Sequence, residues 1–204
     1  LFRSYPVATL LATPDLPANN LKELQALVKK EGPEKRTSAS PDPGSRLMAE
    51  RIFDSAGIKL LNVPYKGAAS FVGDISAGRV DVGIASVTSG LALINAGKLK
   101  SLGIMGTKRI PALPNTPTFK EQGFQGLDEN SWYGLFAPAG TPAATVEAIQ
   151  KDIATVLARP EFQAKLVDYG ALPGGDTPQA FGERFQRNLQ ESGETIRRLG
   201  MTAD

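Results

Sequence analysis

Apolar positions along the chain fall into short blocks of two spacings, and the two kinds alternate. Residues 6–12 read as a brief apolar strand closed by Thr13 and Pro14. Leu21, Leu24, Leu27 and Val28 then recur at helical spacing behind Asn20, with Glu23 three residues on. That combination predicts a capped helix whose end at Lys29 and Lys30 suits the helix dipole. A weak strand over 35–39 leads into the turn 40–45, and a helix bearing Leu47, Met48, Ile52 and Phe53 stops at Gly57. Strands are expected over 58–63, 80–85 and 99–105, and helices over 68–77 and 87–96.

Beyond residue 110 the pattern breaks. Residues 110–126 are rich in Pro and Gly, with Pro111, Pro114 and Pro117 three apart, and are expected to form a linker with a short helix over 118–122. A strand over 132–137 follows. Thr141-Pro142 opens a helix bearing Val146, Ile149, Ile153, Val156 and Leu157, because proline suits the first helical position. A short helix over 162–167, a strand over 170–173 and a last helix from Thr177-Pro178, with Phe181, Phe185, Leu189, Ile196 and Leu199 inward, complete the chain. Alternating strands and helices argue for an α/β fold with largely parallel sheets.

Composition narrows the chemistry. The 204 residues carry 41% hydrophobic and 22% charged side chains, enough for one good core or two small ones. A net charge of +2, with no basic block, argues against a nucleic-acid partner. The chain has no Cys and no His, so thiol nucleophiles, disulfides, His-based triads and zinc sites built on either residue are excluded within it. Oxygen-ligand metal sites, Lys or carboxylate chemistry and plain ligand binding survive. The opening Leu1-Phe2-Arg3 is not a signal peptide, so the chain is expected to be processed or to begin part-way through a longer protein.

Two segments share a strand, a turn of small polar residues, and a helix start: 38–45 and 63–70. Unpaired N–H groups at such helix starts carry the positive dipole end and can hold a carboxylate, with Ser40, Ser45 and Ser70 as hydroxyl donors and Lys66 as counter-charge. Ordinary capped turns show the same spacing and are its simpler reading. Neither segment spells a nucleotide motif, Asp74 and Asp81 form no matched acid–base pair, and the Trp132-Tyr133 pair reads as packing before ligand stacking. With no catalytic constellation, the residues favour a binding protein over an enzyme.

The string Val63-Pro64-Tyr65-Lys66-Gly67 resembles the Bug family, the extracytoplasmic substrate-binding proteins of tripartite tricarboxylate transporters. So do Ala96-Gly97-Lys98-Leu99-Lys100, the run from Lys108 to Thr118 and Trp132-Tyr133-Gly134-Leu135-Phe136-Ala137-Pro138. The similarity runs in order over nearly the whole chain. It implies a two-lobed, type II periplasmic-binding-protein-like fold that captures a small organic anion, usually a carboxylate, and delivers it to a membrane permease. It further implies a periplasmic location and no enzyme activity, cofactor or metal. By this resemblance residues 13–130 are the second lobe, and residues 1–12 with 131–204 a partial first lobe expected to self-associate. An effector domain of a regulator, or a signalling receptor of the same fold, is the alternative.

The resemblance also maps ligand contacts onto Ser38, Ala39 and Ser40, onto Gly67 and Ala68, and onto Ala85 and Ser86, beside Asp42, Ser45 and Lys66. Three departures bear on it. Ser40 stands where the family commonly has Gly. Pro41 and Pro43 remove amide donors beside Asp42, which adds a negative charge. Ala85 replaces a frequent Asp.

Overall fold

A computed structural model of the chain describes residues 4–128 and 132–201. The chain divides into two compact units, Leu1–Pro6 with Ser131–Asp204, and Val7–Asn130. The expected boundary at 130/131 lies outside the described residues.

The larger unit is built on a five-stranded sheet in the order β4-β3-β5-β2-β6, from β2 (Ala8–Ala12), β3 (Thr37–Ser40), β4 (Leu61–Pro64), β5 (Val82–Ser86) and β6 (Lys100–Ile104). β3 runs parallel to both β4 and β5, joined through α2 (Pro43–Ser55) and α3 (Ala68–Ser76). The largely parallel sheet expected from the sequence is instead mixed, because β2 lies antiparallel to both β5 and β6. Thr9, fully buried, borders the register irregularity between β2 and β6; its hydroxyl donates to Gly103 O (3.0 Å) and lies 2.6 Å from Ser101 Oγ. All five β2 residues are buried. Residues 7–12 therefore belong to the larger unit, not with 131–204 as the sequence suggested: an apolar strand is best satisfied between two neighbours.

Helix α1 (Leu21–Glu31) begins where expected, with the Glu23 amide donating to Asn20 Oδ1 at 2.9 Å. It packs Leu21, Leu24 and Val28 on one sheet face with Ile52 and Phe53 of α2. The other face carries Phe71 and Ile75 of α3 against Leu11 and Ala39, and α4 (Val87–Asn95) adjoins it.

Residues 110–127 are not a linker. Ile110, Leu113, Phe119, Phe124 and Leu127 are buried in the larger unit. Thr118 bridges to Ile104, and no helix forms over 118–122: a single turn, locked by Thr118 N donating to Glu121 Oε2 (2.8 Å), ends at Gly123.

In the smaller unit, β1 (Ser4–Pro6) pairs antiparallel with β7 (Ala171–Pro173) as a two-stranded sheet. Three helices accompany it: α5 (Ala143–Leu157), α6 (Pro160–Asp168) and α7 (Pro178–Leu199). Thr177 caps α7, its Oγ1 accepting from the Ala180 amide at 3.2 Å. The strand expected over 132–137 is absent. Trp132 instead stands edge-on to Phe181 (5.0 Å between centroids) and donates its indole N–H to Asn188 Oδ1 at 2.9 Å, so its aromatic surface serves α7. Among the described residues no helix is long and apolar enough to cross a membrane.

Candidate functional site

Strands β3, β4 and β5 are parallel, so their C-terminal ends lie on one edge of the sheet, where α2, α3 and α4 begin. This is the edge at which open α/β sheets place ligands, because helix amides and strand-end turns converge there. Two backbone bonds join the first two turns: Tyr65 N donates to Ser40 O at 2.9 Å and Gly67 N to Pro41 O at 3.4 Å. Ser40 and Pro41 are thereby brought beside Tyr65 and Gly67, while Ser38 and Ala39 lie further back along β3, opposite Asn62 and Val63, and Asp42 and Ser45 lie at the start of α2. Ala85 and Ser86 end β5, on the other side of β3.

The three helix starts are not equivalent. Asp42 caps α2, with Oδ1 accepting from the Ser45 amide (2.9 Å) and Oδ2 from the Ser45 hydroxyl (2.6 Å). Pro43 at the first helical position has no N–H. The chain's own carboxylate thus occupies the place proposed for an external anion, and Ser45 is committed to it. Ser40 is also committed, donating to Asn62 Oδ1 at 2.6 Å.

Ala39 points away, buried with Phe71 and Ile75 on the opposite sheet face. The Ser38 hydroxyl is buried without a hydrogen-bond partner. At α4, the Val87 amide is taken by Val7 O (2.8 Å), while Ser86 Oγ lies 2.8 Å from Ser89 Oγ.

The start of α3 differs. Gly67 is its N-cap at φ 94° and ψ 160° and, being glycine, brings no side chain to cap the first turn; Ser86 at α4 makes no cap bond either. Ser70 turns its hydroxyl back to Gly67 O (2.9 Å), and Lys66 is exposed beside it. A helix that starts at a glycine, with an ammonium adjoining, can accept a carboxylate.

Sequence reasoning missed what braces this turn. Tyr65 donates its hydroxyl to Asp74 Oδ2 at 2.6 Å, and Arg79 Nε reaches Asp74 Oδ1 at 2.8 Å. Asp74 is thus a strut, and Asp81 is another: it accepts from Thr37 N (2.7 Å) and Arg36 Nη1 (2.9 Å) at the far end of β5. The Tyr65–Asp74 spacing of nine crosses a turn, so no helix or strand period reveals the pair.

The Tyr65 hydroxyl first, and the Arg79 guanidinium second, hold the Asp74 carboxyl below its ordinary value of 3.8. A depressed carboxylate stabilises the fold above its unfolded value and loses that contribution as pH falls through the folded one. We therefore expect the Tyr65 ring resonance to shift only at a pH below that ordinary value in an acid titration followed by NMR. Asp74→Asn should abolish that acid step; an unchanged step would assign it elsewhere.

The profile of the tripartite tricarboxylate transporter family receptor matches residues 2–201. A protein of Pseudomonas sp. strain P51, the UPF0065 protein in the tcbD–tcbE intergenic region, is 35% identical over 189 residues, 90% of this chain and 56% of its own length. Among solved structures, the periplasmic binding protein BugD is 31% identical with a TM-score of 0.84, the match covering 98% of this chain and 68% of that one. An R. palustris protein solved with adipate is 27% identical with a TM-score of 0.88, covering 98% and 67%. The chain spans 56% of the Pseudomonas relative and 60% of a Bordetella pertussis one.

Proposed function

The chain belongs to the tripartite tricarboxylate transporter receptor family, and from that membership we propose that it is a periplasmic solute receptor. It captures a small organic carboxylate at the β3–β4 strand ends and presents it to a membrane permease. The observation that carries this reading is the glycine start of α3, with Gly67 stitched to the neighbouring turn and Lys66 alongside. The adipate held by the R. palustris relative supports a dicarboxylate as the first ligand to try. Backbone amides and the ammonium replace the water shell of one carboxylate group, so binding requires no cofactor and no bond is made or broken.

The test is a thermal-shift series with mono-, di- and tricarboxylates, each beside its amide. A rise of several degrees with one acid and none with its amide is the expected result. Equal response to acid and amide, or no response to any acid, would overturn the carboxylate reading.

Asp42 gives this reading a signed check. Asn caps a helix about as well as Asp, so Asp42→Asn keeps the α2 start while removing a negative charge from the same edge. Carboxylate affinity should rise about threefold to tenfold at low salt, and the gain should shrink as salt screens the charge. Calorimetric titration at two ionic strengths measures it. A loss of affinity would place the ligand elsewhere.

A further inference from the structure

Tyr65 enters the turn that opens α3, and Asp74 stands about two helical turns further along that helix. Lys66 and Gly67 lie between them. Tyr65 is anchored at both ends: its amide donates to Ser40 O at 2.9 Å, and its hydroxyl to Asp74 Oδ2 at 2.6 Å. Its half-buried ring stands tilted against Phe71, 6.2 Å between centroids, and Phe71 has no exposed surface.

Asp74 is itself held. Arg79, just past the end of α3, donates its amide to Asp74 O (2.9 Å) and its Nε to Asp74 Oδ1 (2.8 Å). Both carboxylate oxygens are therefore taken, and the one that meets Tyr65 is kept in place. The Asp74 side chain is 27% exposed and that of Arg79 65%. An ion pair so open to water adds little to the stability of a fold. Its effect on position is larger, because the turn has few other ties. The Gly67 amide reaches Pro41 O only at 3.4 Å, and the Ser70 hydroxyl returns to Gly67 O within the same turn.

We infer that Asp74 is a positioning residue for the site. By holding the Tyr65 hydroxyl it sets the Lys66–Gly67 turn against the end of β3, and so raises carboxylate affinity without touching the ligand. The affinity half of this inference rests on the carboxylate reading of the α3 start; the placement of the turn does not. Charge and position act with opposite signs at Asp74. Removing its negative charge would, by Coulomb's law alone, tighten the binding of an anion. Removing the strut frees the turn and weakens it.

Two measurements test the inference. The first is calorimetric titration with adipate at a temperature where circular dichroism shows every variant folded. Asp74→Ala is expected to bind about threefold to tenfold more weakly, the scale of one lost hydrogen bond. Asp74→Asn keeps an acceptor oxygen and should recover most of that loss. Tyr65→Phe should match Asp74→Ala, and the double variant should be no weaker than either, because the pair acts as a unit. The second is amide hydrogen exchange in the ligand-free protein. The Tyr65 and Gly67 amides should exchange about tenfold faster in Asp74→Ala than in Asp74→Asn, with the Leu24 amide of α1 unchanged. Equal or tighter adipate binding by Asp74→Ala, or equal exchange of the two turn amides in both variants, would overturn the inference. Failure of the unaltered chain to bind any acid would strike the carboxylate reading alone, and exchange would then decide whether Asp74 places the turn.

Discussion

Phe119→Ala is expected to lower the unfolding free energy of the larger unit by about 3–5 kcal/mol, the range for emptying a fully buried aromatic site. Phe119 has no exposed surface. Its ring lies so close to β6 that a Cβ built on Gly103 would stand 2.5 Å from Phe119 Cε1. The sheet is pared to a glycine there to admit the ring, and alanine leaves a void that neighbouring backbone cannot fill.

Local relaxation is further restrained by hydrogen bonds around the site. Phe119 N donates to Ile104 O at 3.0 Å, and Phe124 N to Phe119 O at 3.0 Å. Gln122, also buried, takes the Leu21 amide (2.7 Å) and donates to Leu102 O (3.0 Å), tying α1 to β6 through the same turn. Urea unfolding followed by far-UV circular dichroism measures the loss. A change under about 1 kcal/mol would mean that residues 110–127 dress the unit without being part of its core.

That segment shows where the sequence was legible and where it was not. Helix α1 could be read because its information is local: Asn20 and Glu23 form the cap, and Leu21, Leu24 and Val28 keep one face. The start of α7 at Thr177-Pro178 is local in the same way. Residues 110–127 carry the same Pro and Gly content as a solvent loop, but they are held by partners far along the chain, such as the Leu21 amide that reaches Gln122. Periodicity over a short window carries no trace of that. The direction of β2 was hidden for a related reason, since an apolar run fits either orientation and only its partners decide.

The strand-end turns were legible as turns, and the family motif marked them. What the motif did not disclose was occupancy. Asp42 was legible as an added charge, but its use as the α2 cap depends on the extended backbone there, φ −161° and ψ 164°. The bracing of Tyr65 by Asp74 and Arg79 likewise needed coordinates, because each side chain is ordinary for an exposed surface when taken alone.

The second large effect is expected at Gly67. Its φ of 94° lies where only glycine is comfortable, and nothing stands within 4 Å of the place a Cβ would take. Gly67→Ala therefore acts through the backbone alone and not through a clash. Holding alanine there costs about 1–3 kcal/mol, and the turn is expected to yield by rotating into an ordinary conformation.

That rotation breaks the long 3.4 Å bond from Gly67 N to Pro41 O and re-aims the first amides of α3. If those amides hold the carboxylate, affinity falls by about tenfold to a hundredfold, the range of one or two lost charge-assisted bonds. Calorimetric titration of Gly67→Ala with the acid found by thermal shift measures the fall, with Asp42→Asn run beside it. Both changes sit in adjoining turns and neither touches the sheet core, yet the binding reading requires opposite signs. Weaker binding in one and tighter in the other would fix the anion against α3. Two losses of similar size would show that the turns respond only as shared scaffold, and the ligand would then have to be sought away from this edge.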